Sequence, residues 1–242
     1  GLIVQNGNVG IGTTEPEFKL SLDNDGGIIA KGTYGLGATL TTSGGGARLI
    51  WYPKKTAFRA GFVGGAQWDD TNIGAYSIAT GYSTTASGLY STATGYYTTA
   101  SGNYSTAMGA YTTASGSASI AIGRYLTAGT ADNTIVIGQG VDNTNRLVNN
   151  TASSLMVGFN STIPTLFVGP SSVGIGTTSP DSNYRLTIDS TAATKYGIKV
   201  VASSTQPAAY ITNTGIGYGL IVDSGNVGIG TTSPSGKLHV AS

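Results

Sequence analysis

An all-β solenoid flanked by small fibre-like β-modules is the fold this sequence predicts, on three observations. First, Gly74, Gly81, Gly88, Gly95, Gly102, Gly109, Gly116 and Gly123 stand seven residues apart. Second, the text between them repeats every fourteen residues: GAYSIATGYSTTAS, GLYSTATGYYTTAS, GNYSTAMGAYTTAS, GSASIAIGRYLTAG. A strict period means stacked identical units, none of which buries a core alone. Fourteen residues are too few for a helix pair or a propeller blade, but they suit one coil of two short strands with a glycine at each bend. Third, no window places apolar residues at three-four spacing, and glycine interrupts nearly every stretch of seven. Helix is thereby excluded almost everywhere.

Composition narrows the class. Of 242 residues, 38 are glycine and 10% are charged, with a formal net charge of +1. So low a charge removes electrostatic capture of nucleic acid or of an acidic membrane surface. No apolar run approaches the length of a membrane span, so this segment is not expected to insert directly. There is no cysteine, hence no disulfide and no thiolate metal site, which suits a secreted bacterial or viral surface protein. Gly1 follows neither a methionine nor a signal peptide, and reads as the start of a processed product or of a piece of something longer.

Taken in order, residues 1–31 are expected to form an N-terminal fibre module. GLIVQNGNVGIGTTEPEFKLSL at 1–22 returns as GLIVDSGNVGIGTTSPSGKLHV at 219–240 and, more loosely, as LFVGPSSVGIGTTSPDSNYRLTI within 166–188. Each copy reads as an apolar strand, a turn, V-G-I-G-T-T-x-P, a linker, a basic residue and a second strand. Proline ends the first part because it cannot continue a ladder. Residues 32–73 form an aromatic block. A hairpin is expected there, with strands at 48–52 and 56–62 and Pro53-Lys54-Lys55 in the turn. Residues 74–130 are the solenoid, 131–170 a cap and transition, 171–218 a second fibre module and 219–242 a third.

Within a coil, period two assigns the faces. Ser77 and Ala79 share one face, and Ile78 and Thr80 the other. Ala79, Ala93, Ala107 and Ala121 form one column, and Ala86, Ala100, Ala114 and Ala128 another, which implies a narrow interior. The opposite face carries Ile78, Thr92, Thr106 and Ile120, then Thr80, Thr94, Met108 and Ile122. One coil cannot bury that set, and the simplest cover is further copies of the chain around a threefold axis. Ile11, Ile175 and Ile229 of the fibre modules are assigned to the same core. Similar ends also leave open a head-to-tail filament of stacked trimers.

The G-x-Y-S-x-A-x-G-x-x-T-x-A-S coil over 74–123 resembles the head of trimeric autotransporter adhesins. That resemblance implies a left-handed parallel β-roll in an intertwined homotrimer. The V-G-I-G-T-T-x-P modules resemble those of phage tail fibres and bacterial tail-fibre-domain proteins, where such modules often precede a self-cleaving intramolecular chaperone domain; here they are expected to form β-prism-like units flanking the roll. Together these imply a non-enzymatic extracellular fibre or adhesin segment that extends from a cell surface or forms a filament and mediates attachment. A phage tail-fibre shaft or tip for host recognition is the alternative. The implied partners are the chain itself and a host glycan or surface protein, and no cofactor is implied.

Little in the chain suggests chemistry. Asp69-Asp70 beside Trp68 is the nearest approach to a glycosidase carboxylate pair, but adjacent strand residues face opposite ways, so the pair reads as a strand end. His239, the only histidine, matches Ser21 and Thr187 in the other modules and reads as a solvent-facing strand position. Asp23-Asn24-Asp25-Gly26-Gly27 lacks the later carboxylate of a calcium loop and reads as a turn. Trp51, Tyr52 and Trp68 form either an aromatic platform for a sugar or a plug for an open end. Tyr76, Tyr90 and Tyr104, with Tyr97, Tyr111 and Tyr125, are expected to stack along the outside. Of Thr84-Thr85, Thr98-Thr99 and Thr112-Thr113 only one column faces out, which argues against an ice-binding lattice.

Overall fold

The computed structural model describes residues 7–11, 13–22, 27–181, 183–188, 222 and 225–241. The chain divides into two compact units, Gly1–Thr191 and Ala192–Ser242. In the first unit, β1 (Val9–Ile11) and β2 (Leu20–Leu22) pair in parallel as a sheet of their own. The hairpin follows, β3 (Gly46–Tyr52) and β4 (Ala57–Val63), with Pro53–Lys55 as a single 3-10 turn between them. Proline sits where its missing N–H costs nothing, and Thr56 closes the turn in the left-handed region.

The repeats then wind as coils. The first strand of each coil stacks in parallel: β5 (Ile78–Tyr82), β7 (Thr92–Tyr96) and the leading half of β9 (Thr106–Ala114), with β6 (Thr85–Ala86) and β8 (Thr99–Ala100) on the second wall. β10 (Ile120–Ala128) pairs with β9 along both walls. Ala79, Ala86, Ala93, Ala100, Ala107, Ala114, Ala121 and Ala128 are fully buried, as are Ser77, Ser91 and Ser105. Each of these serine hydroxyls donates to the carbonyl three residues back, for example Ser91 to Gly88 at 2.7 Å, so it is satisfied without leaving the interior.

Half of the glycines are not at bends. Gly81, Gly95, Gly109 and Gly123 lie inside their strands, one above another, with φ between +116° and +136°. A Cβ on Gly95 would collide with the carbonyl oxygen of Gly109, so close backbone approach imposes the residue. The left-handed bends are taken by tyrosines instead. Tyr76, Tyr90 and Tyr104 mark one corner and Tyr97, Tyr111 and Tyr125 the other, all with φ between +50° and +58°. Each such residue costs about 1–2 kcal/mol intrinsically. Inter-coil bonds offset this, such as the Tyr104 N–H to the Leu89 carbonyl at 2.7 Å.

The expected boundaries at 73/74 and 130/131 do not divide the sheet. β4 already pairs in parallel with β5, twenty residues on, so the hairpin supplies the first coil strand. Beyond residue 130 the winding continues through β11 (Thr134–Gln139), β12 (Leu147–Asn149) and β13 (Ser154–Phe159), in parallel register with β10 and with each other's coil. Insertions lengthen these coils and hide the period, while the alternation persists. β14 (Leu166–Val168) then pairs antiparallel with β13 and with β15 (Val173–Ile175), and β15 pairs in parallel with β16 (Leu186–Ile188). The second fibre module is therefore built onto the solenoid sheet. In the second unit, β17 (Val227–Ile229) and β18 (Leu238–Val240) repeat the β1–β2 pairing with matching register.

The three modules also share side-chain chemistry. The Thr13, Thr177 and Thr231 hydroxyls each accept the N–H two residues on, at 3.2, 3.1 and 3.1 Å. Lys19, Arg185 and Lys237 each donate to a carbonyl of the preceding turn. Ser21, Thr187 and His239, read as solvent-facing, are half-buried. Each accepts a backbone N–H of the crossover, from Phe18, Asp181 and Ser235 respectively. The position tolerates Ser, Thr and His because all three present an acceptor.

Candidate functional site

Outward-facing residues of the continuous sheet fall into two unbroken columns. The first runs Trp51, Phe58, Ile78, Thr92, Thr106, Ile120, Ile135, Leu155, Val168, Val173, Leu186. Parallel to it, Leu49, Ala60, Thr80, Thr94, Met108, Ile122, Ile137, Val157, Leu166, Ile175 and Ile188 form the second by the same pairings. In the single chain Ile78 is 45% exposed, Met108 41%, Ile122 39% and Ile175 40%. Ile11 and Ile229, outside this sheet, are likewise exposed, and Ile120 is half-buried. So long an apolar face is unusual on an isolated soluble chain.

The inward columns end in plugs. Ala79, Ala93, Ala107 and Ala121 are followed in register by Val136, Met156 and Phe167, which widen the core as the coils lengthen. On the other side of Ala79 that column continues with Arg59, fully buried, and then Ile50. The Arg59 guanidinium donates to the Phe58, Ser77 and Ala86 carbonyls and to the Ser77 hydroxyl, at 2.8 to 3.0 Å. Burial pushes its pKa down to about 10, so it remains charged at neutral pH. Trp68, also fully buried, donates its indole N–H to the Thr84 carbonyl at 2.9 Å. Arg59 was missed in the sequence; its signal is the strand alternation that places it two residues after Ala57 on the inward face, with Phe58 outward between them.

The sugar platform of Trp51, Tyr52 and Trp68 does not form. Trp51 faces outward, 41% exposed, whereas Tyr52 and Trp68 are buried, because neighbours on a strand point to opposite faces and Trp68 closes the coil. Tyr52 donates its hydroxyl to Asp70 at 2.7 Å and accepts the Leu40 N–H at 3.2 Å. Asp70, paired with Lys55 at 3.4 Å, has its carboxyl held below the usual range, chiefly by the Tyr52 hydrogen bond. Asp69 accepts the Gly44 N–H at 2.8 Å. The two carboxylates thus anchor the segment before β3. They sit at the start of a 3-10 turn, Asp70–Asn72, where the sequence suggested a strand end. Residues 23–26 of the candidate cation loop lie outside the described residues. Among the described residues no cluster of metal-ligating side chains occurs, and no helix is long and apolar enough to cross a membrane.

Aromatic rings line both corners. Tyr34, Tyr76, Tyr90 and Tyr104 stack with centroids 4.7, 4.8 and 5.1 Å apart. Tyr97, Tyr111 and Tyr125 stack at 5.4 Å per step, and Phe62, Tyr82 and Tyr96 at 5.3 and 5.1 Å. Interior threonines Thr84, Thr98 and Thr112 are fully buried, and Thr85, Thr99 and Thr113 form the single outward column.

These features define a repeat protein of the β-solenoid class, with an apolar sheet face and no assembled catalytic constellation among the described residues. The family model described as the YadA head domain repeat matches the chain twice, at residues 73–98 and 100–125. Both copies fall on the coils of β5 to β10, and identify them as repeats of the kind that builds the heads of trimeric autotransporter adhesins. No curated protein and no solved structure matches the chain.

Proposed function

We propose that this chain is a length of a non-enzymatic extracellular fibre, associated as a homotrimer through its outward sheet and serving attachment at a cell surface. The observation that carries the reading is the pair of mostly apolar columns from Trp51 to Leu186 and from Leu49 to Ile188, interrupted only by Thr80, Thr92, Thr94 and Thr106. They continue through hairpin, coils and second module without a change of face, and a closed symmetric contact would cover all of them at once. The two YadA head repeats support the number three, since such heads form homotrimers in general. Ile11 and Ile229 fit the same role in their own modules. The implied partner beyond the chain itself is a host glycan or surface protein. The tail-fibre alternative rests on the shared chemistry of the three V-G-I-G-T-T-x-P modules.

Light scattering on the intact protein tests the assembly. The expected mass is three times 24.4 kDa. Ile122→Lys, placed in the outward column, should lower that mass while leaving β-structure by circular dichroism. A wild-type chain that stays monomeric and soluble at micromolar concentration refutes the proposal. Adhesion of protein-coated beads to host cells, against uncoated beads, tests attachment separately.

A further inference from the structure

The tyrosine column at the first corner stops one coil short. After Tyr104 the next residue in the column is Ala118, which keeps the left-handed backbone, φ +52° against +58° at Tyr104. It also keeps the inter-coil bond, its N–H donating to the Asn103 carbonyl at 2.8 Å. Only the ring is missing. Asn133 follows, again left-handed at φ +56°. Two coil spacings, about 10 Å, separate the Tyr104 and Asn133 levels, which leaves a notch one ring thick floored by the Ala118 methyl.

The other columns end differently. Tyr125 carries the Arg124 guanidinium 4.4 Å from its centroid. Tyr96 is met edge-on by Tyr97 and Tyr111 at 4.7 and 5.3 Å. Tyr104 alone among these column ends keeps a bare face, and at 59% it is the most exposed ring of its column.

Polar groups stand beside the notch. Asp132 accepts the Ser117 N–H at 2.8 Å with one carboxylate oxygen, which holds the carboxylate at the level of the missing ring. Its second oxygen has no partner among the described residues. Asn103, by contrast, commits its side-chain carbonyl to the Leu89 N–H at 3.0 Å, one coil back, and so turns away from the notch. A bare aromatic face with acceptor and donor groups at its rim matches a ring that is apolar on one face and hydroxylated at its edge. Axial C–H groups would lie on the Tyr104 face, and equatorial hydroxyls would reach the Asp132 carboxylate and the exposed Asn133 amide.

We propose that the notch between Tyr104 and Asn133 binds one pyranose ring of a glycan. This rests on the attachment reading above and gives it a site and a ligand class.

Saturation-transfer NMR on the intact protein tests it, with the methyl β-glycosides of glucose, galactose and N-acetylglucosamine as three separate probes. At least one probe should receive saturation, strongest at the protons of one ring face. Tyr104→Ala and Ala118→Tyr should each abolish the transfer, whereas Tyr97→Ala, at the other corner, should leave it. Ala118→Tyr restores the residue that earlier coils carry at this position. An unchanged or raised melting temperature of that variant separates a filled notch from a lost fold. No transfer to any probe, or transfer that survives Ala118→Tyr, overturns the site. Bead adhesion that persists in Ala118→Tyr, with no transfer in the wild type, would sink the pyranose site and leave attachment standing.

Discussion

Arg59 of β4 and Ala79 of β5 are register partners, and both side chains enter the same interior column. One position thus holds a methyl in every repeat coil and a guanidinium in the hairpin strand that precedes them. The difference follows from what lies beyond. Each alanine is covered by the coils on either side, whereas at Arg59 the neighbour on one side is the antiparallel β3, with Ile50 in register, and the guanidinium adds donors to the Ser77 and Ala86 carbonyls beside their backbone bonds. Arginine fills that position and supplies several donors at once.

Replacing Arg59 by alanine leaves the Ser77 and Ala86 carbonyls with only their backbone donors, the Phe58 and Gly74 N–H groups, and opens a cavity. The expected loss is about 3 kcal/mol or more per chain, and Arg59→Lys should recover only part of it, since one ammonium cannot span the same acceptors. Chemical denaturation of the two variants measures both figures. A change within error for Arg59→Ala would show that the buried guanidinium is not structural.

The alanine columns limit the coil width. Ala93→Leu should cost roughly 1–3 kcal/mol per chain by overfilling, multiplied by symmetry in an assembly. Tyr90, 46% exposed and stacked on two neighbours at 4.8 and 5.1 Å, should cost less when changed to serine. Thermal melts of both variants, run side by side, decide it. Equal shifts would contradict the assignment of faces.

The Thr84, Thr98 and Thr112 hydroxyls are buried without a partner among the described residues. A buried hydroxyl that makes no bond costs about 1–3 kcal/mol in lost hydration. Thr98→Val keeps the shape and removes the group, so the melting temperature should rise. A fall would mean that the hydroxyl makes a bond in solution.

Asp70 ties Tyr52 of β3 and Lys55 of the hairpin turn to the 3-10 turn that follows β4. Its folded-state pKa lies below its unfolded value, so its contribution is fully present above about pH 4 and fades as pH falls through the folded value. The pair is partly exposed, which limits the effect to about 1 kcal/mol. Stability measured from pH 6 down to pH 3 should fall more steeply in the wild type than in Asp70→Asn. Parallel curves would remove Asp70 from the acid response.

The fourteen-residue period by itself determined that the chain winds in coils, that Ala79, Ala93, Ala107 and Ala121 face inward and that Ile78, Met108 and Ile122 face outward. Those properties are local, because strand alternation and repeat length leave no other consistent arrangement. The three V-G-I-G-T-T-x-P copies were legible for the same reason. Only the tertiary structure decided where the solenoid stops. Arg59 and Phe159 lie outside the period yet stack in register with it, since hydrogen-bonded register survives insertions that break a sequence repeat. It also separated Trp51 from Trp68, which composition alone had grouped, because burial of an aromatic depends on which coil end lies beneath it. The bare face of Tyr104 was likewise hidden in the sequence. An alanine in place of a tyrosine at 118 looks like drift until the stacking distance turns it into a space one ring wide.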